Sequence, residues 1–165
     1  MFDPKELIVK FDPETRIVHL TARTPIRPAD LNEGLILARR IEAIIKRFLG
    51  DGRGYLLTDY STIIIEPKEV EEYSRWMKAM MEKYLYPGGI ARYGFEISRI
   101  NAQLAHQEYL GGTPNLFESY EAALAYLKGL IAQRQVHQAV SGDETSRESA
   151  APVDSVTGES ETTGT

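Results

Sequence analysis

The chain has no cysteine, only one tryptophan in 165 residues, and no long uninterrupted apolar run. The missing cysteines exclude disulfides, thiolate metal sites and a cysteine nucleophile. No apolar stretch approaches the length needed to cross a bilayer, so no transmembrane segment is expected. The opening Met1-Phe2-Asp3-Pro4-Lys5-Glu6 carries acids where a secretory signal has a basic stretch followed by a long apolar one. These features point to a cytoplasmic protein. A positive excess is missing as well, since the formal net charge is -5. From Ser141 to Thr165 there are six acids (Asp143, Glu144, Glu148, Asp154, Glu159, Glu161) and one base, Arg147. Taking these from totals of 24 acidic and 19 basic residues leaves 18 of each sign in the body. A neutral body with an acidic tail argues against nucleic acid or an anionic membrane surface as partner.

Hydrophobic residues make up 42% of the chain, which suits one domain with a real core. Its organising stretch is residues 53–70. Gly50, Gly52 and Gly54 lead into Tyr55-Leu56-Leu57, which emerges at Thr58-Asp59-Tyr60-Ser61 before the chain restarts as a helix at Pro67. A short apolar run bounded by turn residues predicts a strand buried on both faces. At the carboxyl end of such a strand an open α/β sheet usually docks its ligands and partners, which makes Asp59 and Ser61 the first candidate site.

In chain order, Leu7 to Phe11 and Ile17 to Ala22 predict a β-hairpin across Asp12-Pro13, since proline presets the turn dihedral. A helix is expected over residues 28–49, with Leu31, Leu35, Ala38, Ile41, Ile45 and Phe48 as its buried stripe. Asp30 and Glu33 at its start and Lys46 and Arg47 at its end match the helix dipole, and Gly50 stops it. Ile63-Ile64-Ile65 is expected to bury apolar residues at the sheet edge as a connection. The second helix opens at Pro67 and buries Val70, Tyr73, Met77, Met80 and Tyr84, flanked by Trp76 and Met81. Tyr86-Pro87-Gly88-Gly89 reads as a turn and Ile90 to Ile97 as a strand. Ser98 caps a short helix, Asn115-Leu116-Phe117 forms a brief strand, and Ser119 caps the last helix. From about Gln135 the pattern dissolves into residues that cannot bury enough apolar area to offset chain entropy. The expectation is therefore a domain over 1–134 and a disordered acidic tail over 135–165. The fold class is α/β: a mixed, mostly parallel sheet of about five strands that starts with a hairpin and carries packed helices.

Three passages resemble the SpoIIAA-like branch of the STAS superfamily, the anti-sigma-factor-antagonist-like domains related in fold to CRAL-TRIO lipid-binding proteins. They are Leu57-Thr58-Asp59-Tyr60-Ser61, Tyr86-Pro87-Gly88-Gly89-Ile90 with Ala91-Arg92-Tyr93-Gly94, and the run from Leu116 to Leu127. The last is the most specific, being similar to the Phe-acid-Ser-x-Glu-x-Ala ending of that group. The resemblance implies the fold and a regulatory or binding role. One departure is plain: classical members carry an Asp-Ser-Ser-Gly phosphoacceptor motif, whereas the comparable stretch here is Ile65-Glu66-Pro67-Lys68, with no hydroxyl.

The leading expectation is a non-enzymatic interaction module without the classical phosphoserine switch. Its protein partner would meet Asp59, Tyr60, Ser61, Glu66 and Lys68. The alternative is a carrier or sensor of a small apolar or lipid-like ligand, held by Tyr73, Trp76, Met77, Met80 and Tyr84. Each has a blander competitor. Asp59 and Ser61 suit an Asx-type turn, and that reading is the weightier of the two. Aromatic and Met residues at helical spacing are more often core than pocket. His19, His106 and His137 lie far apart with no ligand spacing, so no metal or histidine catalysis is expected. Residues 50–54 are glycine-rich but follow a helix and precede a strand, the wrong context for a phosphate loop. No cofactor is expected. A homodimer is compatible with the sequence, which does not fix the oligomeric state.

Overall fold

The computed structural model describes residues 6–64, 70–94 and 115–147, together with positions 100, 103 and 107. The chain divides into two compact units, Met1–Ala132 and Gln133–Thr165. The first contains a five-stranded sheet in the order β1-β2-β3-β4-β5. Strand β1 (Leu7–Asp12) runs antiparallel to β2 (Ile17–Ala22). Strands β3 (Gly54–Asp59), β4 (Leu85–Tyr93) and β5 (Leu116–Phe117) continue parallel to β2. The expected mixed sheet opening with a hairpin is the one found, and β3 lies at its centre. Every residue of β3 is buried, as a strand covered on both faces requires.

The period of two splits the strands between two cores. Val18, Leu20, Leu56 and Ile90 face helices α1 (Leu31–Leu49) and α2 (Val70–Tyr84). Ile17, Tyr55, Leu57 and Ala91 face Ala123 and Leu127 of α3 (Tyr120–Arg147). Helix α1 starts at Leu31 rather than Pro28, because Asp30 takes the cap: its carboxylate accepts the Glu33 N–H at 2.9 Å. The Glu33 carboxylate reaches back to the Ala29 N–H at 3.1 Å, a variant of the capping box. The buried stripe is Gly34, Leu37, Ala38, Ile41, Ile45 and Leu49. Leu31 and Leu35, expected inside, are exposed and half-buried, and Phe48 is half-buried. Four apolar residues in succession, Leu35 to Ala38, admit two phases of the stripe, and packing on the sheet selects the one through Leu37.

The turn expected at Tyr86-Pro87-Gly88-Gly89 lies inside β4. Gly54 faces Leu85 while Leu56 faces Ile90, so the ladder slips between these two pairs and the extra residues of β4 bulge outward. Pro87 has no N–H for the ladder, and Gly88 takes a φ of 70°, which favours glycine. A Cβ on Gly89 would sit 2.7 Å from the Tyr86 carbonyl oxygen. The bulge is tied down at the Gly88 carbonyl, which accepts the Tyr126 hydroxyl at 3.1 Å and the Asn115 amide at 3.4 Å. Strand β4 ends at Tyr93, so Gly94, expected within the strand, lies beyond it; residues 95–97, the Ser98 cap and its helix lie outside the described residues, apart from positions 100, 103 and 107. Pro67 lies outside them too. Helix α3 is capped by Ser119, whose hydroxyl accepts the Ala122 N–H at 3.2 Å. It continues to Arg147, past the Gln135 at which the apolar pattern ends. Its residues 133–139 are exposed, so there the backbone ladder persists without a buried face.

Candidate functional site

The parallel strands deliver Thr21, Asp59 and Tyr93 to one edge of the sheet, on the face that carries α3. Asp59 closes β3 and is only 9% exposed. Its carboxylate accepts the Ser61 N–H at 2.9 Å and the Ser61 hydroxyl at 2.5 Å. It also accepts the Thr21 hydroxyl at 3.2 Å. The Asp59 carbonyl accepts the Thr62 and Ile63 N–H groups at 3.3 and 3.0 Å. This is an Asx turn continued into a second backbone turn. Asp59 thus braces the residues that follow it.

The segment 60–64 is pinned at both ends. Tyr60 N–H donates to the Tyr93 carbonyl at 2.7 Å, and Ile63 forms a bridge with Ile26. Around that bridge the Ile26 N–H donates to the Thr62 carbonyl and the Ile64 N–H to the Ile26 carbonyl. Ile63 is buried at 1% exposure, as expected for the apolar connection. Tyr60, Ser61 and Thr62 stay half-buried and form a fixed rim. Gly94, at φ 142°, lets the chain leaving β4 pass close by: a Cβ there would lie 2.5 Å from the Ser61 nitrogen. Beneath the rim is Arg92, at 1% exposure, which donates to the Tyr60 hydroxyl at 2.9 Å and lies beside the Met81 sulfur.

On the α3 face, three rings meet. The His19 Nε2 lies 2.8 Å from the Tyr93 hydroxyl. The Tyr120 ring centroid is 5.2 Å from that of His19 and 5.7 Å from that of Tyr93. Burial pulls the His19 pKa below its usual value, Lys10 adds to this, and Asp59 opposes both. Burial, then the Asp59 charge, pushes the Tyr93 hydroxyl well above its usual range.

Of the residues expected at a partner surface, Asp59, Tyr60 and Ser61 come together at this rim, while Glu66 and Lys68 lie outside the described residues. Of the expected apolar ligand face, Met77, Met80 and Tyr84 are buried in the core packed against α1. Trp76 is half-buried there, its indole N–H and the Tyr84 hydroxyl both donating to the Glu42 carboxylate at 3.3 Å. The side chain of Tyr73 is not among those described. Arg92 and the cluster of His19, Tyr93 and Tyr120 were not singled out from sequence, because only strand register brings them together. Among the described residues no group of three or more His, Asp or Glu could hold a metal ion. No described helix is long and apolar enough to cross a membrane.

No family model matches the chain, and no curated protein matches it. A solved structure is similar, that of an anti-sigma factor antagonist from Mycobacterium paratuberculosis. The two align with a TM-score of 0.48 and 15% identity, over 74% of this chain and 92% of that one.

Proposed function

We propose that the chain is a non-enzymatic regulatory module of STAS type that acts in the cytoplasm by protein–protein contact. Its contact surface is the rim of Tyr60, Ser61 and Thr62, with Glu66 and Lys68 added from the sequence alone. One observation carries the reading: the rim is half-exposed yet held by hydrogen bonds that Asp59 and Tyr93 accept and one that Ile26 donates. A surface fixed before contact loses little conformational freedom on binding, which favours recognition there. Asp59 in this reading holds the surface rather than touching the partner. Ser61 donates its hydroxyl into the Asp59 carboxylate. A phosphate there would set like charges against each other and work against the turn; the module is read as working without the classical phosphoserine switch because Ile65-Glu66-Pro67-Lys68 offers no hydroxyl. The alternative, an apolar ligand against α2, has no observation of its own in its favour, since Met77, Met80 and Tyr84 fill the core.

The absence of cysteine makes the test clean. Ser61→Cys gives a single thiol at the rim, to which a photo-crosslinker is attached, and Arg39→Cys gives a matching probe on the exposed side of α1. The reading predicts one discrete protein adduct from position 61, competed away by unlabelled chain and absent from position 39. Equal labelling from both positions, or none from 61, contradicts it.

A further inference from the structure

We infer that His19 is a proton-operated latch on the start of α3: neutral, it seats Tyr120 against the sheet, and protonated, it releases Tyr120 and the first turn of the helix. Tyr120 is the first residue of α3 and is 38% exposed, so it can leave without opening a core. The buried anchors of the helix, Ala123 and Leu127, lie further along. What holds Tyr120 is the contact of its ring with His19 and Tyr93, and His19 is itself fixed by the hydrogen bond to the Tyr93 hydroxyl. The preceding strand adds little, since β5 has two residues.

A proton on His19 arrives in unfavourable company. Lys10 of β1 is its direct cross-strand partner, and like charges directly opposite destabilise a pair. The positive end of α3 lies at Tyr120 and disfavours a second cation beside it. Asp59 of β3 is the nearby offset, but its carboxylate already accepts three hydrogen bonds from Ser61 and Thr21. Glu121 in the first turn of α3 is a further acid on that element, and the Tyr93 hydroxyl, pushed well above its usual range, stays neutral. Burial lowers the His19 pKa from 6.5, so the charge appears only below the usual histidine range. This inference is independent of the proposed partner surface, because its readout lies within the chain.

The test follows the His19 ring protons by NMR on the full chain from about pH 7.5 to about pH 5, the range in which histidine titrates. Hydrogen-exchange protection factors of the Ala122 and Ala123 amides, which both donate to Ser119, are measured on the same samples. Protection should fall with the midpoint of His19 itself, by at most about tenfold for each unit by which that midpoint lies below 6.5, since Lys10 stays opposite His19 when α3 opens. Lys10→Gln should move both midpoints upward together. His19→Gln, uncharged throughout and still able to bond Tyr93, should hold protection constant. Protection that ignores the His19 titration, or that falls equally in His19→Gln, overturns the inference. Should that variant not fold, the paired midpoints in Lys10→Gln decide it.

Discussion

Replacing the Asp59 carboxylate with a methyl group strips the Ser61 N–H, the Ser61 hydroxyl and the Thr21 hydroxyl of their acceptor. Hydrogen bonds to a charged, buried group contribute about 1.5–3 kcal/mol, so Asp59→Ala should lower stability by about 2–4 kcal/mol in denaturant unfolding. Asp59→Asn keeps an acceptor for the Ser61 N–H and should lose less than half as much. Equal losses would mean that the Asx turn contributes nothing. Tyr93 gives a second residue-scale outcome. Its folded pKa is raised above the usual 10.0, so the folded chain keeps a proton that the unfolded chain gives up. The stability from this group is complete below pH 10 and is lost as pH rises through the folded value. Tyr93→Phe should flatten that alkaline loss in thermal melts and remove one late-titrating hydroxyl from the ultraviolet spectrum.

At the scale of elements, α1 depends on its cap and on the phase of its stripe. Asp30→Ala should cost about 1 kcal/mol through the lost Glu33 N–H acceptor. Leu37→Ala, at a fully buried position, should cost about 2–5 kcal/mol, whereas Leu31→Ala, 37% exposed, should cost well under half of that. Reversal of that order in urea unfolding would return the stripe to the phase read from sequence. Local signals carried the hairpin, the central strand and the Ser119 cap, because a run of apolar residues and the turn chemistry around it are contiguous in the chain. The bulge in β4 was misread because proline and two glycines serve a turn and a bulge equally well, and only pairing with β3 distinguishes them. The buried Arg92 and the rings around His19 were invisible for the same reason: they depend on partners from other strands. The sequence places Asp59 at the end of the central strand, where β3 ends, but its role as a brace needed the geometry of Thr21 and Ser61.

For the whole molecule, the sheet and its two cores belong to the unit Met1–Ala132, and the exposed residues 133–139 of α3 bury no apolar face. A chain ending at residue 134 is expected to unfold cooperatively with a midpoint unchanged within error, checked by calorimetry. A lower midpoint would place part of the stabilising core beyond that residue. The rim follows from this architecture, since a central parallel strand must release its chain at an edge that neighbouring strands already frame. The most direct measurement of the account's central claim is an amide chemical-shift map of the isotope-labelled chain, titrated with the protein captured through position 61. The account predicts that the largest shifts cluster at residues 59–64 and at Tyr93 and Gly94 beside them. Shifts concentrated instead on the outer face of α1 or along β1, with the rim unmoved, would contradict it.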